Sequence, residues 1–152
     1  MNSLQIEQLV LNDELSSKLF GGVIAADQMK RVENNDGKLY VINSDPSSEP
    51  GQHWMVLNNS SVDNYISFFD SLGNSPKKYG TYFKSFLELN NYKYNSRRLQ
   101  GESRTCAHFC LYYIFYTVRG YTMQSIVNSF TLDIGCNDII VLNFVNRMLL
   151  SK

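Results

Sequence analysis

Charge is scarce in this sequence. Its 14 basic and 14 acidic side chains make up 18% of the 152 residues and cancel to a formal net charge of zero, against roughly 25% charged residues in an average protein. That balance excludes a duplex-binding protein that works through bulk electrostatics. Cysteine is sparse as well. Cys106, Cys110 and Cys136 are odd in number and sit in the last third of the chain, a poor disulfide framework that suits a reducing, intracellular compartment. No apolar run approaches the ~18 residues of a membrane span. The opening Met1-Asn2-Ser3-Leu4-Gln5 has no basic cluster ahead of an apolar stretch, so it does not read as a signal peptide. Repeats and low-complexity linkers are missing too, and the length favours one domain over residues 1–152. Such a chain buries roughly 70% of its unfolded surface and needs no staples.

In place of charge stand 16 Asn and 17 Ser, together with ten Tyr, nine Phe and one Trp, an aromatic content that argues against disorder. Spaced aliphatics from Leu4 to Leu19 predict a short helix within residues 3–19, broken by Phe20-Gly21-Gly22-Val23. Strands are predicted at 38–43, 53–57 and 64–69. The Pro- and Ser-rich stretch 44–51 forms a loop, and residues 58–63 supply a turn. That turn holds two overlapping glycosylation sequons, which in an intracellular protein mean only a polar turn. Ser75 and Pro76 open a predicted helix to Leu89, and 94–100 reads as short and extended. Residues 106–119 are apolar nearly all round, the mark of a buried helix, with Thr105 as N-cap and Gly120 as stop. Two amphipathic helices fit 122–130 and 137–150. Strands first and helices later give α+β: a small mixed or antiparallel sheet against a buried central helix, with flanking helices.

Chemistry enters with Cys106, which opens that buried helix. A helix N-terminus favours thiolate over thiol, although a cysteine there is commonly just a small core residue. A thiolate needs a base, and there are only two histidines. His108 lies two positions beyond Cys106 on the same helix, so it points elsewhere and reads as a core histidine bonded to a carbonyl. His53 starts a strand. Placing His53 opposite Asp70 in a hairpin pairs Met55 with Phe68 and Leu57 with Ile66, apolar on apolar. Asp70 then reaches the imidazole as orienting group, the ordinary alternative being a turn aspartate. Gln100, ending an extended segment ahead of Cys106, offers an amide to a developing oxyanion.

His53-Trp54, Asp70, Gln100 and Cys106 in that order resemble the adenain-like cysteine proteases of adenoviruses, Maverick/Polinton elements and other large DNA viruses, within the wider group of SUMO- and ubiquitin-like-specific proteases. Further similar segments are Phe20-Gly21-Gly22-Val23, Tyr40-Val41-Ile42-Asn43, Pro50-Gly51-Gln52, Phe69-Asp70-Ser71-Leu72-Gly73, Ser103 through Cys110, and Tyr112 through Val127. The resemblance implies a papain-like fold in circularly permuted order, with Cys106 as nucleophile, His53 as base, Asp70 as orienter and Gln100 as oxyanion donor. Trp54, Gly51 and Ala107 would shape a narrow substrate channel. It also implies cleavage at Gly-Gly-type sequences. The C-terminal cysteine that tethers an activating peptide in the adenovirus enzyme has no clear counterpart here, so neither that cofactor nor DNA activation is carried over, and no cofactor or metal is expected. A polypeptide is the partner implied; the balanced charge and the lack of a long apolar run give the further expectation of neither strong nucleic-acid binding nor membrane contact, for a monomer. Two positions depart from the family: Ala107 stands where Gly is usual, and Thr105 where the SUMO branch often has Asp. The leading expectation is an endopeptidase that matures viral or transposon structural proteins. Behind it stand a ubiquitin-like deconjugating isopeptidase, a related acyltransferase and an inactive binding module. Zinc at Cys106, His108, Cys110 and Cys136 lacks a usual ligand spacing.

Overall fold

In a computed structural model, described for residues 1–33, 36–59 and 64–151, the chain forms six α-helices and five strands. The order is α1 (Ser3–Asn12), α2 (Glu14–Leu19), β1 (Phe20–Ile24), β2 (Leu39–Asn43), β3 (Trp54–Asn58), β4 (Ile66–Phe69), α3 (Thr81–Glu88), β5 (Tyr92–Tyr94), α4 (Cys106–Thr117), α5 (Met123–Asn128) and α6 (Ile134–Leu150). Short 3-10 turns lie at Ala26–Arg31 and Pro76–Tyr79. The strands form one sheet in the order β1-β2-β3-β4-β5. Its two outer pairs are parallel and its two inner pairs antiparallel. The expected α+β architecture with a mixed sheet is what the chain adopts.

Strand periodicity divides the core in two. Val41, Val56 and Phe69 face α4, where Phe69 stacks on Tyr113 with ring centroids 4.3 Å apart. Ile42, Met55, Leu57 and Phe68 face the other way, onto Met29, Phe83 and Leu87. Helix α4 is thus closed off by the sheet on one side and by α1, α5 and α6 on the other. That enclosure explains why its sequence is apolar on nearly every face.

Several local expectations need correction. The stretch 3–19 is two helices, because Asp13 adopts an extended conformation and caps α2 through the Ser16 N–H. A guanidinium from Arg119 on the far side of α4 fixes that break, donating to both Asp13 oxygens. Phe20–Val23 is not a mere breaker but most of β1, paired parallel with β2. The helix expected from Pro76 to Leu89 splits at Gly80, whose φ of 107° lies in the region that favours glycine, and Ser75 makes no side-chain cap. The extended segment expected at 94–100 is mostly irregular beyond β5, strand β4 begins only at Ile66, and α6 begins at Ile134 with Asp133 as its cap. The turn expected at 58–63 falls largely outside the described residues.

Candidate active site

Four segments bring their ends to one cleft. Helix α4 begins at Cys106, whose own N–H has no partner within the helix because it belongs to the first turn. His53 immediately precedes β3, and Asp70 immediately follows β4. The loop after β5 carries Gln100. All of these except Asp70 line a cavity of about 1040 Å³, together with Gly51, Trp54, Tyr79, Ser103, Arg104 and Ala107. Asp70 lies behind His53, 1% exposed, and its Oδ1 accepts from His53 Nε2–H at 2.7 Å. The Cys106 thiol lies close enough to the same imidazole to shift its titration, and with Nε2 committed to Asp70 the nitrogen left for sulfur is Nδ1. Every residue proposed from sequence for the chemistry and for the channel therefore meets at this place.

The hairpin register that suggested His53 and Asp70 as partners is wrong by two residues. Val56 pairs with Phe69, Leu57 with Phe68 and Asn58 with Ser67. A two-residue slip keeps every side chain on its own face, so the apolar pattern cannot distinguish the two registers, and either one keeps the pair within reach. Beyond the strand, the chain turns at Gly73, whose N–H donates to the Asp70 carbonyl. Gly73 has φ of 71°, and a Cβ there would lie 2.7 Å from the backbone of Arg97 and Arg98. Asp70 is thus both a turn residue and the partner of His53.

The carboxylate is held at every point. Its Oδ1 also accepts the Leu72 N–H at 2.9 Å, and Oδ2 accepts the Tyr79 hydroxyl. The Tyr79 ring lies nearly parallel to the imidazole, at 23° with centroids 5.7 Å apart. Asn95 brackets the Asp70 backbone, accepting from its N–H and donating to its carbonyl. Tyr79 and Asn95 were not found from sequence; Tyr79 lies inside what reads as an unbroken helix, with nothing local to mark it.

Gln100 has a fixed amide. The Ser71 hydroxyl donates to its Oε1 at 2.6 Å and its Nε2 donates to the Ser103 carbonyl at 2.7 Å. One Nε2 hydrogen remains for the cavity. Thr105 does not cap α4 with its side chain; its hydroxyl donates instead to Asp138 on α6 at 2.7 Å. His108 is half-buried, and its Nδ1, expected to bond a carbonyl, is buried without a hydrogen-bond partner among the described residues. Cys110 is buried in the core and Cys136 is exposed on α6. At Gly51 a Cβ would fall on the Asn43 side chain, so only glycine brings the loop this close to β2.

Burial alone would push the His53 pKa down. The Asp70 and Cys106 side chains beside it raise it instead, to about 9. Burial likewise pushes the Cys106 thiol up, but the imidazole and the N–H groups of Trp54 and Ala107 bring it below the usual thiol value. Together these shifts favour a thiolate–imidazolium pair, a nucleophile beside a proton donor. The sign follows from the two roles. Sulfur must be deprotonated, so activity is lost as pH falls through the lowered thiol pKa. The imidazole must be protonated to release a leaving amine, so activity is also lost as pH rises through about 9. A bell-shaped kcat/KM with its alkaline limb near that value is expected; a single limb at the ordinary thiol pKa would contradict the pair.

No protein-family model matches the sequence, and no curated protein is similar to it. Solved structures are. Over 98% of this chain and 78% of the other, the fold is similar to that of the SUMO protease Ulp1, in a structure whose catalytic cysteine is oxidised to a sulfinic acid, with a TM-score of 0.50 and 14% identity. ChlaDub1 from Chlamydia trachomatis is similar over 63% of this chain, with a TM-score of 0.49 and 15% identity, and the chain spans 45% of its length. At 14% identity the likeness to Ulp1 shows the fold alone.

Proposed function

We propose that this chain, on the fold it shares with the SUMO protease Ulp1, is a cysteine-dependent peptidase formed by one domain over residues 1–152. The observation that carries this reading is the Cys106 thiol and the His53 imidazole on the wall of one open cleft, with His53 bonded to a buried Asp70. The Cys106 thiolate attacks the substrate carbonyl carbon and the negative charge passes to the carbonyl oxygen. That oxygen is met by the free Gln100 Nε2 hydrogen and the Cys106 N–H. Collapse breaks the C–N bond, and the His53 imidazolium gives its proton to the departing amine. A water then gives a proton to His53 and its oxygen to the thioester, releasing the acid and restoring the thiol pair. No group outside the polypeptide is required.

The substrate is a polypeptide that passes Trp54 in extended form, with glycine before the cut. Trp54 and Ala107 line the cleft, and the Gly51 loop crowds β2. A side chain at the scissile position would clash there, whereas main-chain hydrogen bonds suit a glycine segment. Resemblance to the adenain-like enzymes favours an endopeptidase that matures viral or transposon structural proteins, acting inside the cell as a monomer without nucleic acid. The fold likeness to a SUMO protease favours a second reading, an isopeptidase acting on a ubiquitin-like tail. Two electrophiles separate them: a ubiquitin-like protein with a C-terminal warhead, and a short peptide ending in Gly-Gly with the same warhead. Labelling by both at similar rates supports the endopeptidase, and labelling by the protein probe alone supports the isopeptidase. In a peptide library scanned at the residue before the cut, Gly is expected to exceed Ala by about tenfold or more, since one methyl shifts discrimination by ~1–3 kcal/mol. A preference for a bulky or charged residue there would overturn the narrow channel.

A further inference from the structure

Helix α6 runs on the far side of α4 from the sheet, yet it sends one buried carboxylate to the loop that precedes Cys106. Asp138 is 7% exposed. Its two oxygens accept the Gly101 N–H at 3.2 and 3.1 Å, and Oδ1 also accepts the Thr105 hydroxyl at 2.7 Å. No cation pairs with it among the described residues. A buried carboxylate held only by neutral donors is costly unless each of its bonds is kept.

The two groups it holds bracket the candidate oxyanion site. Gly101 directly follows Gln100, and Thr105 directly precedes Cys106. The loop between is tied to Gln100 itself, since Ser103 accepts the Gln100 amide and its hydroxyl lies 3.2 Å from that of Thr105. Gly101 is fitted to the arrangement, because a Cβ would lie 2.5 Å from Asp138 Oδ2. The adjacent Asn137 adds a second anchor, donating to the Leu99 carbonyl at 3.1 Å. Residues 99, 101 and 105 are therefore hung from the start of α6, and Thr105 spends its hydroxyl on Asp138 where a helix cap would have spent it on α4.

We propose that Asp138, acting through Thr105 and Gly101, is a positioning residue that sets the Gln100 amide and the Cys106 N–H at the spacing an oxyanion needs. This rests on Cys106 as nucleophile and Gln100 as oxyanion donor. It makes a demand those roles alone do not: α6 must affect steps that build an oxyanion and leave untouched those that need only the thiolate.

Two probes separate these steps. A peptide aldehyde ending in Gly adds to the thiolate and places a negative oxygen in the oxyanion site. Iodoacetamide consumes the thiolate by displacement of iodide and forms no oxyanion. Thr105→Val deletes the hydroxyl and keeps the branched shape; Asp138→Ala deletes the carboxylate. Expected for Thr105→Val is a kcat lower by about tenfold, and for Asp138→Ala by about 30-fold, below the ~10²–10³ of losing an oxyanion donor outright. Aldehyde affinity should weaken by similar factors, with KM and the iodoacetamide rate within about twofold of wild type. Thr105→Ser should recover most of the loss. Wild-type kcat and aldehyde affinity in both variants would overturn the proposal. So would aldehyde affinity and alkylation rate falling in parallel with a lowered Tm, the mark of a merely structural role. Failure of the underlying reading looks different: alkylation of the wild-type enzyme at a cysteine other than 106, or full activity in Gln100→Ala.

Discussion

Alanine at position 106 is expected to abolish turnover, by on the order of 10⁴-fold or more, as removal of an activated nucleophile does. Serine there should do little better. The site is arranged for a thiolate: the imidazole pKa is raised to about 9, and the Trp54 and Ala107 N–H groups favour the charged sulfur. A hydroxyl has a far higher pKa and cannot form that ion pair at neutral pH. Cys110→Ala and Cys136→Ala are expected to keep the rate per folded molecule, since the first sits in the core behind α4 and the second is exposed on α6. Hydrolysis of a Gly-ended peptide and labelling by a thiol electrophile, read together on the four variants, check this. A Cys106→Ser enzyme with wild-type turnover would end the assignment of α4 as the helix that bears the nucleophile.

Legibility of the site from sequence followed from chemistry that is local in the chain. A cysteine that opens an apolar helix and a histidine beside the only tryptophan are visible without any knowledge of contacts. Asp70 was reachable through hairpin geometry even in a shifted register, because side-chain direction repeats every two residues and the true register differs by two. Residues whose roles depend on tertiary approach could not be read. Tyr79 meets Asp70 only because Gly80 ends the 3-10 turn before it can run on into α3. Asp138 and Thr105 are brought together by the packing of α6 on α4, and nothing near either residue signals it.

The fold shows the same division. Alternation in β2, β3 and β4 was clear, since both faces of the sheet are covered by apolar side chains. Strand β1 was hidden by Gly21 and Gly22, which read as breakers. There, glycine is what permits the strand: a Cβ at Gly21 would sit 2.4 Å from the Tyr40 ring on the neighbouring β2. The break between α1 and α2 lies in the middle of a continuous aliphatic spacing, and it is stabilised by Arg119, far away in the chain.

Loss of the Asp70 charge is the second large effect expected. Asp70→Asn should slow turnover by about 10²-fold, less than the ~10⁴ seen when such a change also inverts the histidine tautomer. Here the tautomer is protected. Oδ1 accepts both His53 Nε2–H and the Leu72 N–H. An asparagine that turned its NH₂ to that side would face two donors, so its oxygen stays there. The NH₂ then faces the Tyr79 hydroxyl, which can rotate to accept it. His53 therefore keeps Nε2–H toward position 70 and Nδ1 toward sulfur. What is lost is the negative charge that offsets burial of the imidazolium. The His53 pKa should fall from about 9, carrying the alkaline limb of kcat/KM down with it and shrinking the pH range in which thiolate and imidazolium coexist. Asp70→Ala should cost about 10³-fold, because it also strands a buried Nε2–H without a partner, at ~1–3 kcal/mol. Profiles of kcat/KM against pH for both variants decide the matter. An alkaline limb that stays at its wild-type position in Asp70→Asn would mean that the carboxylate does not set the charge state of His53, and the pairing of these two residues would then be structural alone.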